Sequence, residues 1–138
     1  MAALAFAGDK PDFSGDWELL ISKSRFGKLE KPVRMILHSE NRNGVMHSEQ
    51  TTYTPQGTST VESEWYPDGK EHEDPSKSTR TVTRWEDDTL VSQKKSADGK
   101  IIQTIRLRKS TDGKTVTQDI DTRDSNGENH SVLVWEKQ

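Results

Sequence analysis

Apolar and polar residues alternate in short runs along this chain. Trp17, Leu19 and Ile21 share one parity, as do Val33, Met35 and Leu37, and side chains two apart on an extended strand lie on one face. Similar runs, enriched in Thr, Val, Ile or aromatic residues, recur at 45–53, 58–66, 78–85, 89–96, 100–109, 114–122 and 129–136. A shorter one fits at 69–73. No segment of helix length carries a sustained apolar stripe. Between the runs stand Asn43-Gly44, Asp68-Gly69, Asp98-Gly99, Asp112-Gly113 and Asn126-Gly127, at gaps of 25, 30, 14 and 14 residues. Gln56-Gly57 divides the first gap, and Asp87-Asp88 supplies another turn. Asn-Gly and Asp-Gly adopt the positive φ angles of tight hairpins. The pattern predicts an all-β, antiparallel meander of eight to ten strands.

A meander of this length must protect its first and last edges, and closure into a barrel does so. A two-sheet β-sandwich is the alternative. Ser22–Lys31 has no clean alternation and reads as a loop or short helical turn crossing one end. Residues 1–12 read as a disordered or processed N-terminal segment, and 13–138 as one β-barrel domain. Ala5-Phe6-Ala7 fits the small-x-small end of an export signal, so a periplasmic or secreted location is expected, with a cytoplasmic one as the alternative.

Composition narrows the function classes. Only 28% of the 138 residues are hydrophobic, so many side chains stand in solvent or line a polar interior. Lys plus Arg number 20 against 23 Asp plus Glu, giving a net charge of −3. The signs are mixed, with no basic tract of the kind nucleic-acid binding needs. No membrane-spanning stretch is present. The chain has no cysteine, which excludes disulfides, thiol nucleophiles and thiolate metal sites. Monomer is the default state.

Phe13-Ser14-Gly15-Asp16-Trp17-Glu18-Leu19 resembles the Gly-x-Trp first strand of the calycins, which include lipocalins and intracellular fatty-acid-binding proteins. Val134-Trp135-Glu136-Lys137 resembles their last strand. Ser24-Arg25-Phe26-Gly27-Lys28, the Trp85–Val91 segment and Ser110–Thr117 are similar to a group of small bacterial lipocalin-like proteins of undefined role. The resemblance spans 13–137 and implies a small barrel with an interior cavity. Fatty-acid-binding relatives hold a carboxylate with inward Arg and Tyr on late strands. Here the corresponding last-strand positions are Leu133 and Trp135, and Ile105 and Leu107 read as the inward pair that leaves Arg106 and Arg108 outside. A one-residue bulge would reverse that register.

The expected function is noncovalent binding of a small hydrophobic or amphiphilic molecule inside the barrel. Its candidate ligand-binding residues are Met35, Tyr53, Trp65, Trp85, Ile105, Leu107 and Leu133, with Leu37 and Ile101 completing the apolar inner surface. Trp17 and Trp135 read as core. The alternative is a structural or protein-interaction module with a filled core. No Gly-x-Ser-x-Gly elbow, His-Glu-x-x-His pair, phosphate loop or dinucleotide fingerprint is present, so neither an enzyme nor a cofactor is expected. The acidic cluster Glu71-His72-Glu73-Asp74 cannot surround one ion from a single strand, because successive side chains alternate. No metal site is expected.

Overall fold

The computed structural model describes residues 10–74 and 78–138. Most of the expected N-terminal segment 1–12, including Ala5-Phe6-Ala7, lies outside the described residues. The strands are β1 (Gly15–Leu19), β2 (Arg34–Arg42), β3 (Val45–Thr54), β4 (Gly57–Trp65) and β5 (Glu71–Glu73). β6 (Arg80–Glu86), β7 (Thr89–Lys95), β8 (Ile101–Lys109), β9 (Thr115–Asp124) and β10 (Gly127–Lys137) complete the set. All ten form one antiparallel sheet in the order β4-β3-β2-β1-β10-β9-β8-β7-β6-β5. A single continuous sheet replaces the sandwich alternative.

Closure is the point at which expectation and structure part. First and last strands do pair, through β1 and β10, but β4 and β5 sit at opposite ends of the strand order and share no ladder. The sheet is therefore an open half-barrel. β5 offers only three residues, and every position of β4 from Gly57 to Glu64 is exposed. Neither strand carries the apolar surface that would draw the two edges together.

The turns follow the dipeptides. Asn43 (φ 53°) and Gly44 (φ 82°) make the two-residue β2–β3 turn, flanked by the Arg42–Val45 pair. The three Asp-Gly-Lys triplets share one local device. Asp68, Asp98 and Asp112 each accept the backbone N–H of the lysine two residues on, at 2.9, 3.1 and 3.0 Å. That bond is what an aspartate side chain contributes to a turn. It also helps hold each of these carboxyls below the ordinary range, together with Ser96 at Asp98 and Ser110 at Asp112.

The core occupies one end of the curl. Phe13, Trp17, Leu19, Leu90, Leu107, Val116, Leu133 and Trp135 are buried together. In a chain so poor in hydrophobes the two indoles supply much of that area. Both indole N–H groups are satisfied, Trp17 by Phe13 O and Trp135 by Gln118 Oε1, each at 3.0 Å. Trp85 packs at the same end, stacked on Phe13 with ring centroids 6.1 Å apart.

The segment between β1 and β2 is a strap stitched to β10. It opens with a 3-10 turn at Ile21–Lys23. Arg25 and Val132 exchange two backbone hydrogen bonds at 2.7 and 2.8 Å. Val134 N–H donates to Ser24 Oγ at 3.0 Å, and Lys28 N–H to Asn129 Oδ1 at 2.6 Å. Val33, expected to share the inner face of β2, lies outside the strand and is exposed.

Gly27 is the strap's sterically fixed point. Its φ is +60°, and a Cβ there would lie 2.5 Å from His130 O. Gly44 has a similar φ but open space around it. Gly27→Ala is expected to cost about 2–4 kcal/mol, and Gly44→Ala about 1 kcal/mol. Urea denaturation of the two variants checks the order.

Candidate ligand-binding site

A cavity of about 740 Å³ opens between the β3–β4 hairpin and the β5–β8 wall. Ser48, Val61, Ser63 and Trp65 line one side. His72, Thr81, Thr83, Ser92, Lys94, Gln103 and Ile105 line the other, and the lining also takes in six carboxylates, Glu40, Glu49, Glu62, Glu64, Glu73 and Asp74, with the Arg42 guanidinium. Register explains why these side chains converge. Trp17 opposes Leu37, which opposes Gln50, so Leu37 and the even residues of β3 share the inner face. Met46, Ser48 and Gln50 then set Trp65, Ser63 and Val61 beside them. Across the curl, Thr83 opposes Ser92, which opposes Ile105.

The interior is two-tiered. Apolar core residues close one end, and hydroxyl and amide side chains occupy the level above them. Thr83 and Ser92 hydroxyls bond each other at 3.0 Å while buried, and Ser39 and Ser48 lie 3.3 Å apart. Pairing of this kind lets polar groups sit inside a barrel without large desolvation cost. Ser131 differs: it is fully buried, and its Oγ has no hydrogen-bond partner among the described residues.

Lys94 is the one ammonium lining the cavity. It stands opposite Thr81 and Gln103 and forms no ion pair among the described residues. Its neighbour Lys95, by contrast, pairs with Glu71 at 3.1 Å.

The candidate residues divide into three groups. Trp65 and Ile105 line the cavity. Leu107 and Leu133 are buried in the core, with Met35 and Trp85 packed against it. Tyr53 needs correction. It opposes Arg34 on the face away from Met35, and the Arg34 guanidinium lies 5.8 Å from its ring. Ile101 also departs from expectation: the ladder shifts between Lys94 and Lys95, and Ile101 at that irregularity is exposed. The inward Ile105 and Leu107 leave Arg106 outside, 3.9 Å from Asp121. The sequence reading missed Lys94 and the Thr83–Ser92 pair. Both lie in the β6–β7 hairpin, whose register follows from folding it about Asp87-Asp88.

The histidines pair with carboxylates on the surface or rim. His47 Nδ1 lies 2.8 Å from Glu64, His72 Nε2 2.9 Å from Asp68 and His130 Nε2 2.7 Å from Asp119. His38 sits between Asp16 at 2.7 Å and Glu40 at 3.0 Å. Hydrogen bonding to Asp16, then to Glu40, holds it above its ordinary value. No imidazole is bonded to a serine or threonine hydroxyl among the described residues, and no catalytic arrangement is formed there. Asp119, Asp121 and His130 bring their ligand atoms within 4.8 Å of one another, with the Arg106 guanidinium beside Asp121.

Solved structures with the same architecture include zebrafish ileal bile acid-binding protein complexed with cholic acid. It matches with a TM-score of 0.63 and 13% identity over 91% of this chain and 98% of that one. The two chains share a fold. Echinococcus granulosus fatty-acid-binding protein 1 matches with a TM-score of 0.59 and 12% identity, over 91% and 96% of the two chains. The siderocalin Ex-FABP matches with a TM-score of 0.56 and 10% identity, over 91% and 73%. No family model and no curated protein matches the sequence. The same fold is thus held here by a sequence far from those of the matched structures.

Two consequences can be measured. Ser131→Ala removes a buried hydroxyl with no hydrogen-bond partner among the described residues, and is expected to stabilise the fold by about 1 kcal/mol. Thr83→Val strands the Ser92 hydroxyl and is expected to cost about 1–3 kcal/mol. Thermal unfolding separates the two signs. For His38, whose folded pKa is raised, the ion-pair contribution is fully present below the ordinary histidine value of 6.5. It is lost as pH rises through the folded value, and exposure keeps it small. Asp16→Asn should lower the His38 midpoint in an NMR titration.

Proposed function

We propose that the protein binds a small amphiphilic molecule inside the half-barrel, without chemical conversion. The observation that carries this reading is the two-tiered cavity, with its apolar closed end and a polar level of hydroxyls, amides and carboxylates that includes Lys94, an ammonium with no ion pair among the described residues. An apolar portion would lie toward Ile105, Trp65 and the core. A polar end would lie among Thr81, Thr83, Ser92 and Gln103, within reach of Lys94. Lys94 offers a charge-assisted hydrogen bond to an accepting group at that end, while the carboxylates along the lining disfavour a ligand of high negative charge. The bile acid and fatty-acid names of the matched structures belong to those proteins; they support the class of ligand and leave its identity open.

The test is native mass spectrometry of protein purified without added ligand, joined to titration with the anionic dye 1-anilinonaphthalene-8-sulfonate. A reproducible bound mass, or saturable dye fluorescence of one-to-one stoichiometry displaced by amphiphiles, is expected. Lys94→Ala should weaken dye binding about tenfold, in line with one lost charge-assisted bond. Neither a bound mass nor saturable fluorescence would reject the reading in favour of a filled interaction module.

A further inference from the structure

β4 is an exposed edge whose protection is limited to two charged side chains, Glu62 and Glu64. Long edges are ordinarily blunted by Lys, Pro, a bulge or a covering element. Gly57–Trp65 reads Gly-Thr-Ser-Thr-Val-Glu-Ser-Glu-Trp, with no Lys, Arg or Pro. Its register against β3 runs unbroken from Thr54–Gly57 to Met46–Trp65. Every residue from Gly57 to Glu64 is exposed, and no strand of the described chain pairs with the edge away from β3. Val61 is 59% exposed, one of the few large apolar side chains so open. The opposite edge, β5, is only three residues long.

The hydrogen-bond directions along β4 are fixed by the hairpin. Thr54 and Gly57 flank the two-residue Pro55-Gln56 turn and form its hydrogen-bonded closing pair. Alternation then points the backbone groups of Gly57, Ser59, Val61, Ser63 and Trp65 toward β3. Those of Thr58, Thr60, Glu62 and Glu64 point outward and have no ladder partner.

We infer that β4 pairs antiparallel with β4 of a second copy of this chain, about a two-fold axis through Val61. An isologous contact must be self-complementary, and this register is. It sets Thr60 against Glu62 and Thr58 against Glu64 of the second copy, each pair exchanging two backbone hydrogen bonds. All four outward-pointing residues are thereby used. Moving the axis one residue to Glu62 would place two glutamates face to face, a destabilising pair. Moving it to Thr60 would leave Glu64 against Gln56 in the turn. The Val61 axis instead brings the two exposed valines together as a non-hydrogen-bonded pair, the arrangement in which side chains approach most closely. Glu62 also opposes Glu49 within each chain, so carboxylates crowd the junction and added salt should tighten the dimer.

The absence of cysteine makes the register directly testable. Val61→Cys places a thiol on the two-fold axis, where the pair spacing suits a disulfide, and mild oxidation should convert most of the protein to a linked dimer. Ser59→Cys and Ser63→Cys, each alone, should stay largely unlinked, while a mixture of the two should cross-link. Wild-type protein in 0.5 M salt should sediment near twice the chain's 15.7 kDa at high concentration. Thr60→Pro removes an outward N–H, together with the exposed hydroxyl contact to Thr51, and should abolish the dimer while leaving the circular dichroism unchanged; Thr60→Val, which loses the hydroxyl alone, should still dimerise. A wild-type protein that stays monomeric to about millimolar concentration, or three cysteine variants that link equally, would overturn the proposal. Neither readout depends on what the cavity holds.

Discussion

The pairing of β1 with both β2 and β10 is the constraint on which the architecture depends, because it is the one place where the sheet's two halves meet. Strands β2–β4 form a unit of two consecutive hairpins, and β5–β10 form a longer meander. Gly15–Leu19 joins them, with only Trp17, Glu18 and Leu19 in register against β10. So short a ladder is weak by itself. Burial of Trp17 and Leu19, and the strap that continues the contact along β10 to Lys28, strengthen it. The Gly-x-Trp opening and the Ser-Arg-Phe-Gly-Lys segment are therefore two parts of one joint. The glycine of the second part is confined by the backbone of β10.

With one side of the curl fixed at this joint, the other side is free to stand open. Apolar residues gather near β1 and β10, and the strands farthest from them are the most polar. That gradient gives a barrel packed at one end and wet at the seam. It also accounts for a cavity whose walls are mostly polar and charged. A fully apolar interior would need more hydrophobes than the chain contains, whereas paired hydroxyls such as Thr83 and Ser92 line a barrel at small cost.

Much of this was legible in the sequence, for identifiable reasons. Turn dipeptides placed nearly every strand, since Asn, Asp and Gly meet a backbone requirement that few other residues meet. Strand parity placed Ile105 and Leu107 inside and Arg106 outside. Tyr53 was misplaced because register was not carried across the Asn43-Gly44 turn, where it would have set Tyr53 opposite Arg34. Ile101 was misplaced because the irregularity at Lys94–Lys95 has no local sequence mark. The open seam was illegible for a different reason. Closure depends on whether two distant edges have enough apolar surface to meet, and periodicity within a strand does not report that.

The inner wall between β3–β4 and β6–β8 is the binding surface proposed above. Backbone NMR during titration with a soluble amphiphile tests it most directly. The account predicts saturable shifts concentrated at Ser48, Ser63, Trp65, Thr83, Ser92 and Ile105, with the outward Arg34, Tyr53 and Arg106 little affected. Shifts confined to the outer face, or none at saturating amphiphile, would contradict it.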